Sequence, residues 1–129
     1  AQTLIHKGLV SFVDAWEQLP LFASQKRLSP EVQARQRSLR LDNDPIQLAR
    51  SLRFMGTGKQ PNFWPYLSRL NMPVHYICGD LDDKFKRIGQ ALINEVPNGQ
   101  LYCKTGVGHN VHLESPDEYH HYILTTLKE

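Results

Sequence analysis

Nowhere in the 129 residues does a Gly-x-Ser-x-Gly occur, and no serine stands between a strand-like run and a helix start. A serine nucleophile raised on a strand-to-helix turn is therefore not part of this chain. Cysteine is scarce. Cys78 and Cys103 both fall inside apolar strand-like runs, where a thiol packs as a small hydrophobe, and two cysteines suggest no disulfide framework. No apolar run reaches membrane-spanning length and no signal peptide or targeting motif is present, so the expectation is a cytoplasmic protein without a membrane partner. Charge of one sign is hardly in excess: 15 Lys and Arg against 13 Asp and Glu leave +2. Basic residues interleaved with aromatics on one face, the mark of a nucleic-acid partner, are missing too. His109 and His112 have a spacing compatible with a metal, but no third ligand cluster accompanies them, and neither a metal nor another cofactor is expected.

The chain does contain an organisation that changes once, near residue 71. Before that point the pattern is helical. Residues 3–18 set Leu4, Leu9, Phe12, Val13 and Trp16 mostly three and four apart, one apolar stripe that stops at Pro20. Ser29-Pro30 and Asp44-Pro45 each look like an N-cap followed by a first-turn proline, starting helices that run to Leu39 and through Leu52. Gly56-Thr57-Gly58 closes the second, and a short helix around Phe63–Leu70 follows. Beyond residue 71 the order becomes β-α-β-α. Val74, Tyr76, Ile77 and Cys78 form the nearly continuous apolar run of a strand covered on both faces. A helix over 83–94, a strand over 100–104 and a last helix from Ser115-Pro116 complete it. Ser115 and Glu118 there read as a capping box.

A βαβ connection of this length makes the two strands parallel and the crossover right-handed. Functional groups of such sheets gather beyond the carboxyl ends of the strands. Asp80, Asp82 and Asp83 follow the first strand and His109 the second, so both groups emerge at one edge. An imidazole moves protons near neutral pH when one ring nitrogen is held as a donor and the other faces the reacting group. A carboxylate on the far nitrogen does that. Asp82 is the first candidate for the acid, Asp80 and Asp83 remaining as cap or alternative, and Gly106 and Gly108 permit the tight turn that projects His109. The bland alternative makes Asp82 a helix cap and His109 an ordinary loop residue.

The segments WEQLPLFAS (16–24), LARSLRFMGTGKQP (48–61), YICGDLDDKF (76–85) and GVGHNVHLESP (106–116) together resemble the 2-succinyl-6-hydroxy-2,4-cyclohexadiene-1-carboxylate synthases of menaquinone biosynthesis, in the α/β-hydrolase superfamily. The resemblance covers essentially the whole chain. It implies an α/β fold, the C-terminal part of an α/β-hydrolase: a helical cap over 1–70, then the last two parallel strands and their helices over 71–129. It implies a Ser-His-Asp triad that eliminates pyruvate from a succinyl-cyclohexene carboxylate, the acid falling on Asp82, the base on His109 and the serine outside this chain. Substrate-contacting cap residues fall on Trp16 and on Arg40, with Arg37 as the alternative register. A substrate with several carboxylates suits the arginines of residues 26–53, whose planar forks bind carboxylates bidentately. The 129 residues alone are then expected to be inactive, to lack a complementary N-terminal half, and to pair with it or self-associate. The start at AQTLIHKGLVSFVDAW, without an initiator Met, suits a processed or truncated chain. Rival readings are another α/β-hydrolase activity, such as an esterase or carbon–carbon bond hydrolase, and a non-catalytic binding module.

Overall fold

The structure is a computed structural model that describes residues 1–127. It divides into two compact units, Ala1–Pro20 with Lys26–Asn62, and Leu21–Gln25 with Phe63–Glu129.

The first unit is helical: α1 (Gln2–Glu17), α2 (Pro30–Leu41) and α3 (Pro45–Phe54). Ser29 Oγ accepts the Val32 N–H at 3.4 Å and Asp44 Oδ1 the Gln47 N–H at 2.7 Å, each ahead of a first-turn proline. Those side chains satisfy amides that the first helical turn leaves without intrahelical partners. α1 packs on α2 and α3, and Leu4, Val13 and Ala49 are its buried centre. The single stripe expected along α1 is broken. Gly8 sits at φ 81°, ψ 172°, so two helical segments meet at a kink, a conformation a glycine reaches without the Cβ penalty. Past it Phe12 stacks on Trp16, ring centroids 5.7 Å apart, and Trp16 stays 37% exposed.

The second unit is built on β1 (Val74–Gly79), α4 (Asp83–Glu95), β2 (Gly99–Lys104), α5 (Val111–Glu114) and α6 (Pro116–Thr126). β1 and β2 pair in parallel from Val74↔Gly99 to Gly79↔Lys104. Side chains alternate across the sheet, so Tyr76 and Leu101 share one face, His75 and Tyr102 the other. α4 covers the first: a Cβ on its buried Gly89 would run into the Tyr76 ring, which is why glycine stands mid-helix, and Tyr76 Oη donates to the Phe85 carbonyl at 3.1 Å. α6 covers the second, with Tyr122 stacked on Tyr102 at 4.2 Å and its hydroxyl 3.2 Å from His75 Nδ1. The capping box expected at Ser115 does not form. Ser115 ends α5 and starts α6 at once, its own N–H bonded to the Val111 carbonyl, and its side chain caps nothing. Glu118 instead pairs with Lys104 at the end of β2. The single-turn α5, an eight-residue 3-10 stretch over Pro20–Arg27 and a short one over Thr57–Lys59 also lie outside the expected elements.

Candidate functional site

At the carboxyl end of β1 three aspartates take three different jobs. Asp80 Oδ1 accepts the Gly106 N–H at 2.7 Å and so fixes the turn after β2. Asp83 is the exposed first residue of α4, placing its charge near the positive end of the helix. Asp82 is buried and uses both oxygens: Oδ1 accepts the Phe85 N–H at 3.2 Å as the N-cap of α4, and Oδ2 lies 2.6 Å from His109 Nδ1. The helix-cap and acid readings of Asp82 are therefore compatible, one oxygen for each.

His109 reaches that carboxylate because the turn before it is tied down along its length. Gly106 adopts φ 75°, the left-handed conformation glycine favours. The Leu81 N–H donates to the Val107 carbonyl at 3.0 Å, joining the turn to the backbone after β1. A Cβ on Gly79 would overlap the Val107 and Gly108 carbonyl oxygens, so only glycine lets strand and turn come this close. The Gly108 N–H then donates to Glu114 Oε2 at 2.9 Å, and the other oxygen of Glu114 accepts from Ser24 Oγ at 2.9 Å. The imidazole lies between two aromatic rings, Phe85 at 4.6 Å and Phe22 edge-on at 6.0 Å. Its side chain is 26% exposed, against 5% for that of Asp82. A ring so placed, with Nδ1 against a carboxylate, has Nε2 left for proton transfer.

The other residues singled out by the sequence lie in the first unit. Arg37 bridges Glu17 Oε2 at 2.7 Å and Asp14 Oδ1 at 2.6 Å, and Arg40 shares Glu17 through Oε1 at 2.9 Å. Hydrogen bonds to Asp14 and Glu17 hold the Arg37 guanidinium above its ordinary pKa. Trp16 adjoins this cluster in sequence, one residue before Glu17. Of the remaining histidines, His112 packs edge-on against Tyr119 and His75 against Tyr122, while His120 and His121 are exposed on α6. Among the described residues no group of three or more His, Cys, Asp or Glu is arranged to hold a metal, and no helix is long and apolar enough to cross a membrane. Cys78 and Cys103 are register partners and both free thiols. Burial, then the neighbouring Cys103 side chain, pushes the Cys78 thiol up to about 12.

Sequence reasoning passed over Glu114, Ser24 and Phe22. Ser24 and Glu114 lie 90 positions apart, and no local pattern links them. The signal within reach was the position of Glu114 in GVGHNVHLESP, an acid five residues beyond the histidine.

A parallel βαβα unit with an acid after its first strand and a histidine after its second is the C-terminal part of an α/β-hydrolase fold, and solved structures agree. MenH from S. aureus superposes with a TM-score of 0.97 at 38% identity, over 98% of this chain and 48% of that one. The chain is homologous along its length to 2-succinyl-6-hydroxy-2,4-cyclohexadiene-1-carboxylate synthases: the protein of that name from Yersinia pestis bv. Antiqua (strain Nepal516) is 33% identical over 129 residues, all of this chain and 44% of the relative. A Bacillus subtilis (strain 168) protein to which the name is provisionally attached is 42% identical over 116 residues, 90% of this chain and 42% of its own length. The chain thus spans less than half the length of these relatives. No protein-family model matches it.

Proposed function

We propose that the complete protein carrying this chain is a carbon–oxygen lyase of menaquinone biosynthesis that eliminates pyruvate from a succinyl-cyclohexene carboxylate. His109 acts as the proton shuttle and Asp82 as its orienting acid. The triad serine comes from polypeptide outside these residues. Asp82 accepts Nδ1–H, which fixes the tautomer with a basic Nε2 and stabilises the imidazolium once a proton arrives. That proton leaves the substrate as a carbon–carbon double bond forms and the carbon–oxygen bond to the pyruvate enol breaks. The observation that carries the reading is the 2.6 Å contact between His109 Nδ1 and Asp82 Oδ2 in a chain homologous to the named synthases. Residues 1–70 serve as the cap and 71–129 as the end of the core. Arg40, with Arg37 as the alternative, binds a substrate carboxylate, and Trp16 contacts the substrate.

The proposal extends to what completes the sheet. The described residues form a two-stranded sheet, and each strand has one edge without a ladder. Such edges recruit further strands, here from the rest of the protein or from a second copy. The test is an assay of the full-length protein that reads pyruvate release and ester hydrolysis side by side, with His109→Ala as control. The expected result is pyruvate release that His109→Ala abolishes. Ester hydrolysis without pyruvate release would move the protein to another α/β-hydrolase activity.

A further inference from the structure

Besides the contact of His109 with Asp82, three ties hold backbone groups of the five-residue turn over 105–109. Asp80 takes the Gly106 N–H, Leu81 holds the Val107 carbonyl, and Glu114 takes the Gly108 N–H. The first two come from the residues that follow β1. The third differs: it acts on the peptide next to His109, and it comes from the far end of α5, so Glu114 closes a loop around the histidine. Its carboxylate is also anchored, since Oε1 accepts from Ser24 Oγ while Oε2 holds Gly108. Gly108 is itself buried, and a Cβ there would collide with the Ser24 side chain and approach Glu114 Oε1 to 3.1 Å. Glycine thus leaves the space that lets the carboxylate reach the backbone.

We infer that Glu114 is a positioning residue for His109: by gripping the Gly108 amide from α5 and bracing on Ser24, it keeps the imidazole on Asp82. The inference rests on the proton-shuttle role proposed for His109. What matters is the reach of the Glu114 oxygens rather than their charge. A glutamine of equal length can accept from Gly108 with its carbonyl oxygen and donate to the Ser24 hydroxyl with its amide. An aspartate keeps the charge but withdraws the carboxylate by one methylene from the Gly108 N–H.

The test compares Glu114→Gln with Glu114→Asp in the full-length protein, reading kcat and KM for pyruvate release and the downfield proton resonance of the His109 Nδ1–H. Glu114→Gln is expected to keep kcat and the resonance near those of the unaltered protein. Glu114→Asp is expected to lower kcat by about 10²-fold, the effect of a small misplacement of a reacting group, with KM unchanged and the resonance shifted or lost. Equal effects of the two variants, or a greater loss in Glu114→Gln, would overturn the inference. His109→Ala and Asp82→Asn separate it from the reading beneath it. If both keep full turnover, the triad reading fails, and the Nδ1–H resonance alone then decides whether Glu114 positions the ring.

Discussion

Asp82 holds a helix with one oxygen and an imidazole with the other, so two substitutions at this position should separate stability from turnover. In Asp82→Asn the amide oxygen can go on accepting the Phe85 N–H, for asparagine caps helices as well as aspartate does. The NH2 group is then left facing His109 Nδ1 across the present 2.6 Å contact. It is a donor, so Nδ1 must become the acceptor and the ring proton must move to Nε2. The histidine is held in place with the wrong nitrogen basic. In a serine-protease triad that exchange costs about 10⁴-fold in turnover, or roughly 5.5 kcal/mol of barrier. The fold should lose little, because the cap survives. In Asp82→Ala both bonds go, and α4 loses its cap as well, worth about 1 kcal/mol. Thermal unfolding and pyruvate release, measured together on the full-length protein, check the pair: similar turnover losses, with Asp82→Ala alone showing the lower melting temperature. Wild-type turnover in Asp82→Asn would refute the acid assignment, and if Asp80→Asn abolished activity instead, the acid would belong to the neighbouring position.

Gly79→Ala should destabilise by about 1–3 kcal/mol or more, because the added methyl meets the backbone oxygens of Val107 and Gly108, which no rotamer change relieves; a melting curve unchanged from wild type would contradict the packing described. Ser29→Ala and Asp44→Ala should each cost about 1 kcal/mol in denaturant unfolding, since each removes an N-cap of the helical unit. Cys78, with its thiol raised from 9.0 to about 12, should resist alkylation at pH 8 while the unfolded chain reacts; rapid native labelling would count against its burial. Because the folded state holds the Cys78 proton more tightly than the unfolded one, its contribution to stability is complete below pH 9.0 and is lost as pH rises toward about 12, which alkaline unfolding of Cys78→Ala against wild type would read. The isolated 129-residue chain, with an open edge on each strand, should self-associate in light scattering, and a dilute, cooperatively unfolding monomer would contradict that.

What could be read in the sequence was whatever a few neighbouring residues decide. Ser29-Pro30 and Asp44-Pro45 start helices because cap and proline act within one turn. The parallel strands followed from the βαβ spacing, and with them the shared edge of Asp82 and His109. Local patterns misled where a distant partner competed for the same group. Glu118 had a capping role available three residues away, yet its charge found Lys104 on the strand below, and Ser115 was already committed to ending α5. The apolar stripe over residues 3–18 runs past Gly8, whose freedom at positive φ lets the helix break there. The Ser24–Glu114 bond was invisible for a different reason: each residue is ordinary in its own neighbourhood, and only the folded chain makes them a pair.

The contacts that hold His109 on Asp82 include those of Phe22, Ser24, Phe85, Gly108 and Glu114, all of which belong to one of the two compact units. Phe22 and Ser24, although they come from the first quarter of the sequence, are thus grouped with the strands and the turn that carry His109. A chimaera that exchanged Ala1–Pro20 and Lys26–Asn62 for the equivalents of a relative, while retaining Leu21–Gln25, is expected to keep the hydrogen bond between His109 and Asp82. On the proposed roles, with Trp16 and Arg40 on the substrate and Asp82 and His109 on the proton, drift in the helical stretches would retune recognition while the acid–base pair keeps its own supports.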